Sequence, residues 1–144
     1  MRILLVEDNP SDIILAREGL KDAGFEGKLH VERDGDAAIH YLEYLLDHYP
    51  SHLPNLILLD LNLPRRHGLD VLRAIRENEL LHHLPVALLS TSEHEIDVLQ
   101  AYEFGGNCYL TKPLEFSRFV MTLRGVIGFF TRHARQAQPK PTLS

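Results

Sequence analysis

Four apolar runs in the chain, each resembling a buried strand, end in residues that can bind metals or phosphate. The clearest is residues 56–60, LILLD, in which four apolar residues lead directly into Asp60. In a parallel sheet the carboxyl ends of the strands lie at one edge, so the side chains that follow them are expected to converge. The residues that follow the other three runs are Glu7, Asp8, Ser90, Thr91 and Lys112.

This set of side chains suits phosphoryl transfer with a divalent cation. Three neighbouring carboxylates repel one another, and a cation such as Mg²⁺ relieves that repulsion. Mg²⁺ prefers oxygen ligands and commonly binds through one or two carboxylates together with a phosphate. The carboxylate of Asp60 can also attack phosphorus and form an aspartyl phosphate. Lys112 and the Ser90 hydroxyl would then neutralise the phosphoryl oxygens.

Each of these residues, taken alone, also has an ordinary structural explanation. Aspartate favours helix caps and turns, so Asp60 or Asp8 alone would indicate no more than a chain reversal. A hydroxyl-rich loop or a lysine after a strand is usually exposed to solvent. Their joint occurrence at four strand ends favours a common site over four separate turns.

The elements that would position these residues alternate regularly along the chain. Asn9 offers a helix cap and Pro10 suits a first helical turn. The predicted strands cover residues 2–7, 28–33, 55–59, 85–89 and 108–110. The predicted helices follow Asn9 and residues 34–36, and cover 69–77, 93–104 and 116–135. Such alternation predicts an α/β domain with a parallel sheet and right-handed crossovers.

Composition excludes several classes of protein. The 144 residues fit one domain with a substantial core. A net charge of -5 disfavours a nucleic-acid-binding surface. Cys108 is the only cysteine, which excludes an internal disulfide and fits a reducing compartment. Without a signal sequence or an apolar run of about 18 residues, we expect a soluble, cytoplasmic protein that binds no membrane.

The motifs resemble those of the response regulator receiver domain over about residues 1–130. That family has an acidic pair after strand one, an aspartate after strand three, a hydroxyl after strand four and Lys-Pro after strand five. The resemblance implies a doubly wound, flavodoxin-like fold with five parallel strands in the order 2-1-3-4-5, within a receiver domain covering 1–135. The residues in register with the family are Glu7, Asp8, Asp60, Pro64, Gly68, Ser90, Tyr109, Lys112 and Pro113.

The resemblance assigns roles to the residues of the metal and phosphoryl site. Asp60 would be the phosphoacceptor. Asp8 and Asp60 would bind Mg²⁺ directly, together with the backbone carbonyl of Asn62. Glu7 would act mostly through metal-bound water, and Lys112 would contact the phosphoryl oxygens.

The resemblance also implies a conformational switch. Ser90 would close onto the phosphoryl group and Tyr109 would fill the space that it leaves. This movement would alter the surface formed by the fourth helix, the fifth strand and the fifth helix. Ser90 stands where the family more often has threonine, and Thr91 stands where it usually has a smaller residue, which would narrow access to the site.

A narrower resemblance concerns the partner. The segments STSE and NCYLTKP, and the lengthened stretch 41–55, resemble the stand-alone regulators of phytochrome-type sensor histidine kinases. A histidine kinase, such as a bacteriophytochrome, would be the phosphodonor. We expect a disordered tail at 136–144 instead of an output domain. The protein would be a signalling protein, not a dedicated enzyme, with at most an activity toward its own phosphoryl group.

Two alternatives on the same fold remain open at this stage. An aspartyl-phosphate hydrolase carries a second aspartate two residues after the nucleophile, where this chain has Asn62, which cannot protonate a leaving group. A flavin or nucleotide carrier needs a glycine-rich loop after the first strand. This chain instead has EDNPSD at residues 7–12, whose carboxylates would repel a phosphate.

The last predicted helix carries an apolar stripe that suggests self-association. A helix covering 116–135 is about 30 Å long, whereas strands of five residues extend about 17 Å. The second half of the helix is therefore expected to extend beyond the sheet and to expose apolar side chains. We predict a homodimer, the commonest oligomer, built on this half. The predicted interface residues are Val126, Ile127, Phe129 and Phe130.

Overall fold

The sheet has the predicted topology. The computed structural model describes residues 1–64, 67–90, 108–111 and 115–137, with side chains for all except 108–111 and 131–137. All neighbouring strands are parallel, in the order β2-β1-β3-β4-β5. Every strand end lies within one residue of its predicted position. The strands are β1 Arg2–Val6, β2 Lys28–Glu32, β3 Leu56–Asp60, β4 Val86–Ser90 and β5 Cys108–Thr111.

Three helices and one short 3-10 helix connect described strands, and a fourth helix follows the last strand. The Asn9 side chain caps α1 by accepting hydrogen bonds from two backbone N–H groups, and Pro10 begins the helix, as predicted. The helix predicted at 93–104 lies outside the described residues. None of the helices in the described ranges is both long and apolar enough to span a membrane. The helices are α1 Pro10–Asp22, α2 Gly35–His48, the 3-10 helix Pro50–His52, α3 Gly68–Glu77 and the C-terminal helix Phe116–Ala137.

The sheet is covered on both faces by helices, which gives two apolar clusters. Strand β3 is buried along its whole length because it lies in the middle of the sheet and both of its faces are covered. On one face, α2 and α3 pack against the strands, through residues that include Leu4, Leu42, Ile57, Leu59, Leu72 and Ile75. On the other face, α1 and the C-terminal helix pack against them, through residues that include Ile3, Leu5, Leu20, Leu58 and Leu123.

The C-terminal helix is buried over a greater length than predicted. Phe130 is only 7% exposed and belongs to the same cluster as Leu20 and Ala23 of the α1 region. The expectation that Phe130 is an exposed interface residue is therefore wrong. That expectation compared the helix with the strands alone, whereas α1, 13 residues long, extends the apolar surface beneath it. Phe129, in contrast, is 46% exposed, as predicted.

Candidate metal centre at the edge of the sheet

Three carboxylates meet where β1 and β3 end. Oxygen atoms of Glu7, Asp8 and Asp60 all lie within 4.8 Å of one another. The register explains this, since Val6 pairs with Leu59 and the residues that follow both are thereby neighbours. Glu7 is 1% exposed and Asp60 is 2% exposed, whereas Asp8 is partly open to solvent. The convergence predicted from the sequence is present for these three residues.

Backbone hydrogen bonds orient two of the carboxylates. The backbone N–H of Asn9 donates to Oε1 of Glu7 at 3.2 Å. The backbone N–H of Asn62 donates to Oδ1 of Asp60 at 3.0 Å. These bonds hold the carboxylates at separations at which like charges repel strongly. The chemistry of the donor set, three hard oxygen ligands at one edge of the sheet, fits a divalent cation of the Mg²⁺ or Mn²⁺ type.

Arg33 supports the site in a way that the sequence analysis did not anticipate. Its Nη2 donates to the backbone carbonyl of Asp8 at 3.0 Å. The backbone N–H of Glu7 also donates to the carbonyl of Glu32, at 3.0 Å. The end of β2 therefore anchors both acidic residues of the first loop. The only sequence signal for this role is a basic residue immediately after the second strand.

The hydroxyl of the predicted switch lies at the same edge. Ser90 is the last residue of β4 and is 2% exposed, and the residue before it, Leu89, pairs with Asp60. Thr111, at the end of β5, pairs with Ser90. The pairing of β3 with β4 therefore brings Ser90 to the acidic cluster.

The structure describes only some of the remaining predicted site residues. Asn62 is exposed beside Asp60, at a position consistent with the predicted carbonyl ligand. Tyr109 lies in β5, opposite Leu88, but its side chain is outside the described set. Thr91 and Lys112 lie outside the described residues. Their predicted roles at the phosphoryl group stay predictions.

Gly68 allows the chain to turn back tightly after β3. A Cβ atom at this position would lie 2.6 Å from Leu61 Cα and would also clash with the carbonyl oxygen of Asp60. The Gly68 N–H donates to the Leu61 carbonyl at 3.0 Å. The His67 ring then caps α3, its Nδ1 accepting from the Leu69 N–H at 3.1 Å, a cap that the sequence analysis missed. The loop that carries Asn62 is thus folded against the end of β3.

We expect Gly68→Ala to destabilise the fold by about 1–3 kcal/mol, the usual cost of forcing extra volume into a packed position. The matched control is Gly125→Ala, since a Cβ at Gly125 meets no atom within 4 Å. That control should be neutral or stabilising by about 0.5–1 kcal/mol, the helix preference of Ala over Gly. Urea unfolding at low protein concentration measures both. Equal stability of the two variants would contradict the close approach at Gly68.

Comparison with known protein families shows which family this chain belongs to. The family described as "Response regulator receiver domain" matches residues 3–124. The chain belongs to this family. The predicted family and fold are therefore confirmed. Receiver domains are signalling proteins.

Two curated regulatory proteins are similar to this receiver domain over most of its length. Response regulator Rcp1 from Synechocystis sp. is 42% identical over 128 residues, which make up 89% of this chain and 87% of that protein. The probable methanogenesis regulatory protein FilR2 from Methanothrix harundinacea is 37% identical over 137 residues, or 95% of this chain and 88% of that protein.

Solved structures similar to this receiver domain include a metal-bound and a phosphorylated protein. The Mn²⁺-bound form of Rcp1 is 42% identical, with a TM-score of 0.77, and the match covers 90% of this chain and 93% of that one. The phosphorylated cyanobacterial phytochrome response regulator RcpA is 38% identical, with a TM-score of 0.79 and coverage of 92% and 94%. The cation class inferred from the carboxylates of this receiver domain agrees with the first of them.

Proposed function

We propose that this receiver domain accepts a phosphoryl group on Asp60 in a Mg²⁺-dependent reaction and thereby acts as a response regulator in a two-component pathway. The observation that carries the proposal is the acidic cluster, in which Asp60 lies at the end of the central strand with two other carboxylates within 4.8 Å. The phosphorylated RcpA and the Mn²⁺-bound Rcp1 support it, as relatives that carry these two groups.

A backbone hydrogen bond orients the proposed nucleophile. Oδ1 of Asp60 accepts from the Asn62 N–H, which holds the carboxylate in place for attack on phosphorus. A new O–P bond would form as the P–N bond to a phosphohistidine breaks, and the electron pair of that bond returns to the imidazole nitrogen. A bound Mg²⁺ would neutralise the charge on the phosphoryl oxygens. We assign Lys112 to the same oxygens.

The burial of the two acidic residues after β1 supports different roles for them. Glu7 is 1% exposed and already accepts a hydrogen bond from the Asn9 N–H. Asp8 is partly open to solvent, and its carboxylate is therefore better placed to bind a hydrated cation directly. We assign Asp8, Asp60 and the Asn62 carbonyl as direct ligands of Mg²⁺, and Glu7 as a ligand through water.

The test is phosphorylation by a small-molecule phosphodonor, followed by intact-mass measurement. With Mg²⁺ the chain should gain the mass of one phosphoryl group, and with a chelator it should gain none. Turnover of an added phosphate ester would favour the hydrolase alternative. A yellow protein with bound flavin would favour the carrier alternative. Either of these results without a mass gain would overturn the proposal.

We propose a cytoplasmic location for this protein and, as its partner, a sensor histidine kinase of the phytochrome type. Support comes from RcpA, a phytochrome response regulator that is 38% identical over 92% of this chain. Phosphotransfer assays against the histidine kinases of the source organism test this choice. Rapid transfer from a kinase without a chromophore, and none from a phytochrome, would contradict it. We infer no dedicated enzymatic activity beyond loss of the protein's own phosphoryl group.

Ser90 is proposed to connect phosphorylation to a change of surface. Its buried position at the end of β4 and the pairing of Leu89 with Asp60 support this role. In the proposed switch, the Tyr109 side chain fills the space that Ser90 leaves, and Thr91 narrows access to the phosphoryl site. Ser90→Ala should still accept a phosphoryl group but lose the change in partner affinity, because the hydroxyl that draws the loop inward is absent. Ser117→Ala is a control at an exposed serine. Equal partner affinity of the wild type before and after phosphorylation would contradict the switch.

We also propose a homodimer that uses the exposed face of the C-terminal helix. Phe129 is 46% exposed and Met121 is 69% exposed, and a spacing of eight residues places them on one face with Gly125 between them. Around Gly125 there is open space in which another backbone could approach. Val126 and Ile127 pack partly against the core and would lie at the margin. Exposed apolar surface of this kind marks an interaction site.

Phe129→Asp should convert the dimer into a monomer without unfolding it, because Phe129 belongs to neither apolar cluster while the charge would be buried at the interface. Light scattering at micromolar concentration measures the mass. The matched control is Ile14→Asp, which changes a 62% exposed residue on α1. If the wild type is a monomer with and without a phosphoryl mimic, or if the Phe129 variant remains a dimer, this interface is wrong.

A further inference from the structure

A small pocket lies at the edge of the sheet opposite the acidic cluster, between strands β1 and β2 and the region of α2 and the 3-10 helix. In β2, Leu29 and Val31 pack against the cluster formed with α1. The alternating residues Lys28 and His30 therefore face the other side of the sheet. The pocket is lined by Arg2, Ile3, Leu4, Lys28, His30, Tyr41, His52 and Pro54.

The pocket concentrates positive charge in a chain whose net charge is -5. Arg2 and Lys28 are register partners on neighbouring strands and both line the pocket. Like charges on paired strands destabilise a sheet unless an opposite charge lies between them. None of the eight lining residues, all of which are described, carries a carboxylate. The positive charges of Arg2 and Lys28 therefore lie next to each other, an arrangement that suits the binding of an anion.

Two rings form a rigid wall of this pocket. The His30 and Tyr41 rings stack with centroids 3.8 Å apart and an interplanar angle of 7°. The His30 Nε2 contacts Oε1 of Glu32 at 2.8 Å, outside the lining residues. Burial raises the pKa of the Tyr41 hydroxyl, with smaller effects from Arg2, which lowers it, and from Glu32, which raises it. Burial thus favours the neutral form of the hydroxyl, which is a hydrogen-bond donor.

We propose that this pocket is a second anion site, which binds a phosphate group through Arg2, Lys28, His52 and the Tyr41 hydroxyl. The planar fork of an arginine suits two oxygens of one phosphate, and a lysine adds a point charge. The cavity volume is about 30 Å³. Since roughly 10–15 Å³ holds one water molecule, the pocket has room for about two or three waters, which indicates a small anion.

The site is separate from the phosphoryl site at Asp60. Arg2 and Val6 are the first and last residues of β1, and the acidic cluster begins one residue after Val6. Five residues of strand separate Arg2 from Glu7 by about 16 Å. Failure of the second anion site would therefore leave the proposed phosphorylation of Asp60 untouched, and the two can be tested independently.

The test is a titration with inorganic phosphate in the absence of Mg²⁺, followed by amide NMR. Amide resonances of Arg2, Lys28 and His52 should shift and saturate, while those of Glu7 and Asp60 should not. Arg2→Gln should weaken binding by about tenfold or more, as expected for loss of one charge-assisted hydrogen bond. Arg17→Gln removes the same charge from the exposed surface of α1 and should bind like the wild type.

A second measurement separates binding from a general salt effect. Phosphate stabilises many proteins by exclusion from their surface, so it should raise the melting temperature of Arg2→Gln and Arg17→Gln to some extent. Only the wild type and Arg17→Gln should gain the additional, saturable increase. Without phosphate, Arg2→Gln should be at least as stable as the wild type, because it removes a like-charge pair.

A parallel titration with glycerol phosphate identifies the source of the phosphate group. Saturation by both compounds would show that the pocket accepts a phosphate carried on a larger molecule, and saturation by inorganic phosphate alone would restrict it to the free ion. Either result supports the site. Equal phosphate affinity for Arg2→Gln and Arg17→Gln, or no saturable shift in the wild type, would overturn it.

Discussion

Asp60→Asn should abolish incorporation of a phosphoryl group. The amide has no anionic oxygen to attack phosphorus, whereas its shape matches that of the carboxylate. The variant should fold normally and be at least as stable as the wild type, because one of three mutually repelling carboxylates has been removed. Incorporation of label from a small-molecule phosphodonor, measured with Mg²⁺ present, gives the result.

Asp47→Asn is the matched control for this experiment. Asp47 is exposed in the last turn of α2 and is not one of the three clustered carboxylates, and its replacement removes the same charge. This variant should incorporate phosphate as the wild type does. Label that persists in Asp60→Asn, particularly label that resists hydroxylamine, would show that another residue accepts the phosphoryl group.

Asp8→Asn should weaken binding of Mg²⁺ by at least about tenfold and slow phosphorylation in parallel. Loss even of a residue that only supports a metal ligand commonly costs about 10–100-fold in metal affinity, and Asp8 is assigned as a direct ligand. Glu7→Gln should have the smaller effect, since Glu7 is assigned to act through water. Calorimetric titration with Mg²⁺ measures the affinity without requiring phosphorylation.

Asp47→Asn again serves as the charge-matched control for the metal titration. It lowers the total negative charge by the same amount and should leave the Mg²⁺ affinity unchanged. If Asp8→Asn and Asp47→Asn titrate alike, Asp8 is not a ligand. If Glu7→Gln has the larger effect, the assigned roles of the two acidic residues are reversed.

Local patterns in the sequence are sufficient to predict the described strands and helices and the carboxylates that meet at one edge of the sheet. Apolar runs bounded by turn residues predict strands, and an Asn-Pro pair predicts the start of α1. Once the strands are parallel, their carboxyl ends must share an edge, so Asp8 and Asp60 were expected to meet there. The family motif added the strand order and the roles of individual residues.

Other features depend on pairs of residues far apart in the chain, which local patterns do not report. The sequence suggested that Phe130 would be exposed, but α1 covers it, because the helix packs on a helix as well as on the sheet. The need for glycine at position 68 follows from its closeness to Leu61 in the folded chain. The support that Arg33 gives to Asp8 depends on the pairing of β1 with β2.

The opposition of Arg2 and Lys28 likewise exists only once β1 and β2 are in register. The sequence by itself therefore determined which segments form strands and helices and which carboxylates end them, because those properties follow from neighbours in the chain. Tertiary packing alone decided which side chains are covered, how closely Gly68 approaches Leu61 and where like charges meet. These properties depend on contacts between segments, and no periodicity within one segment encodes them.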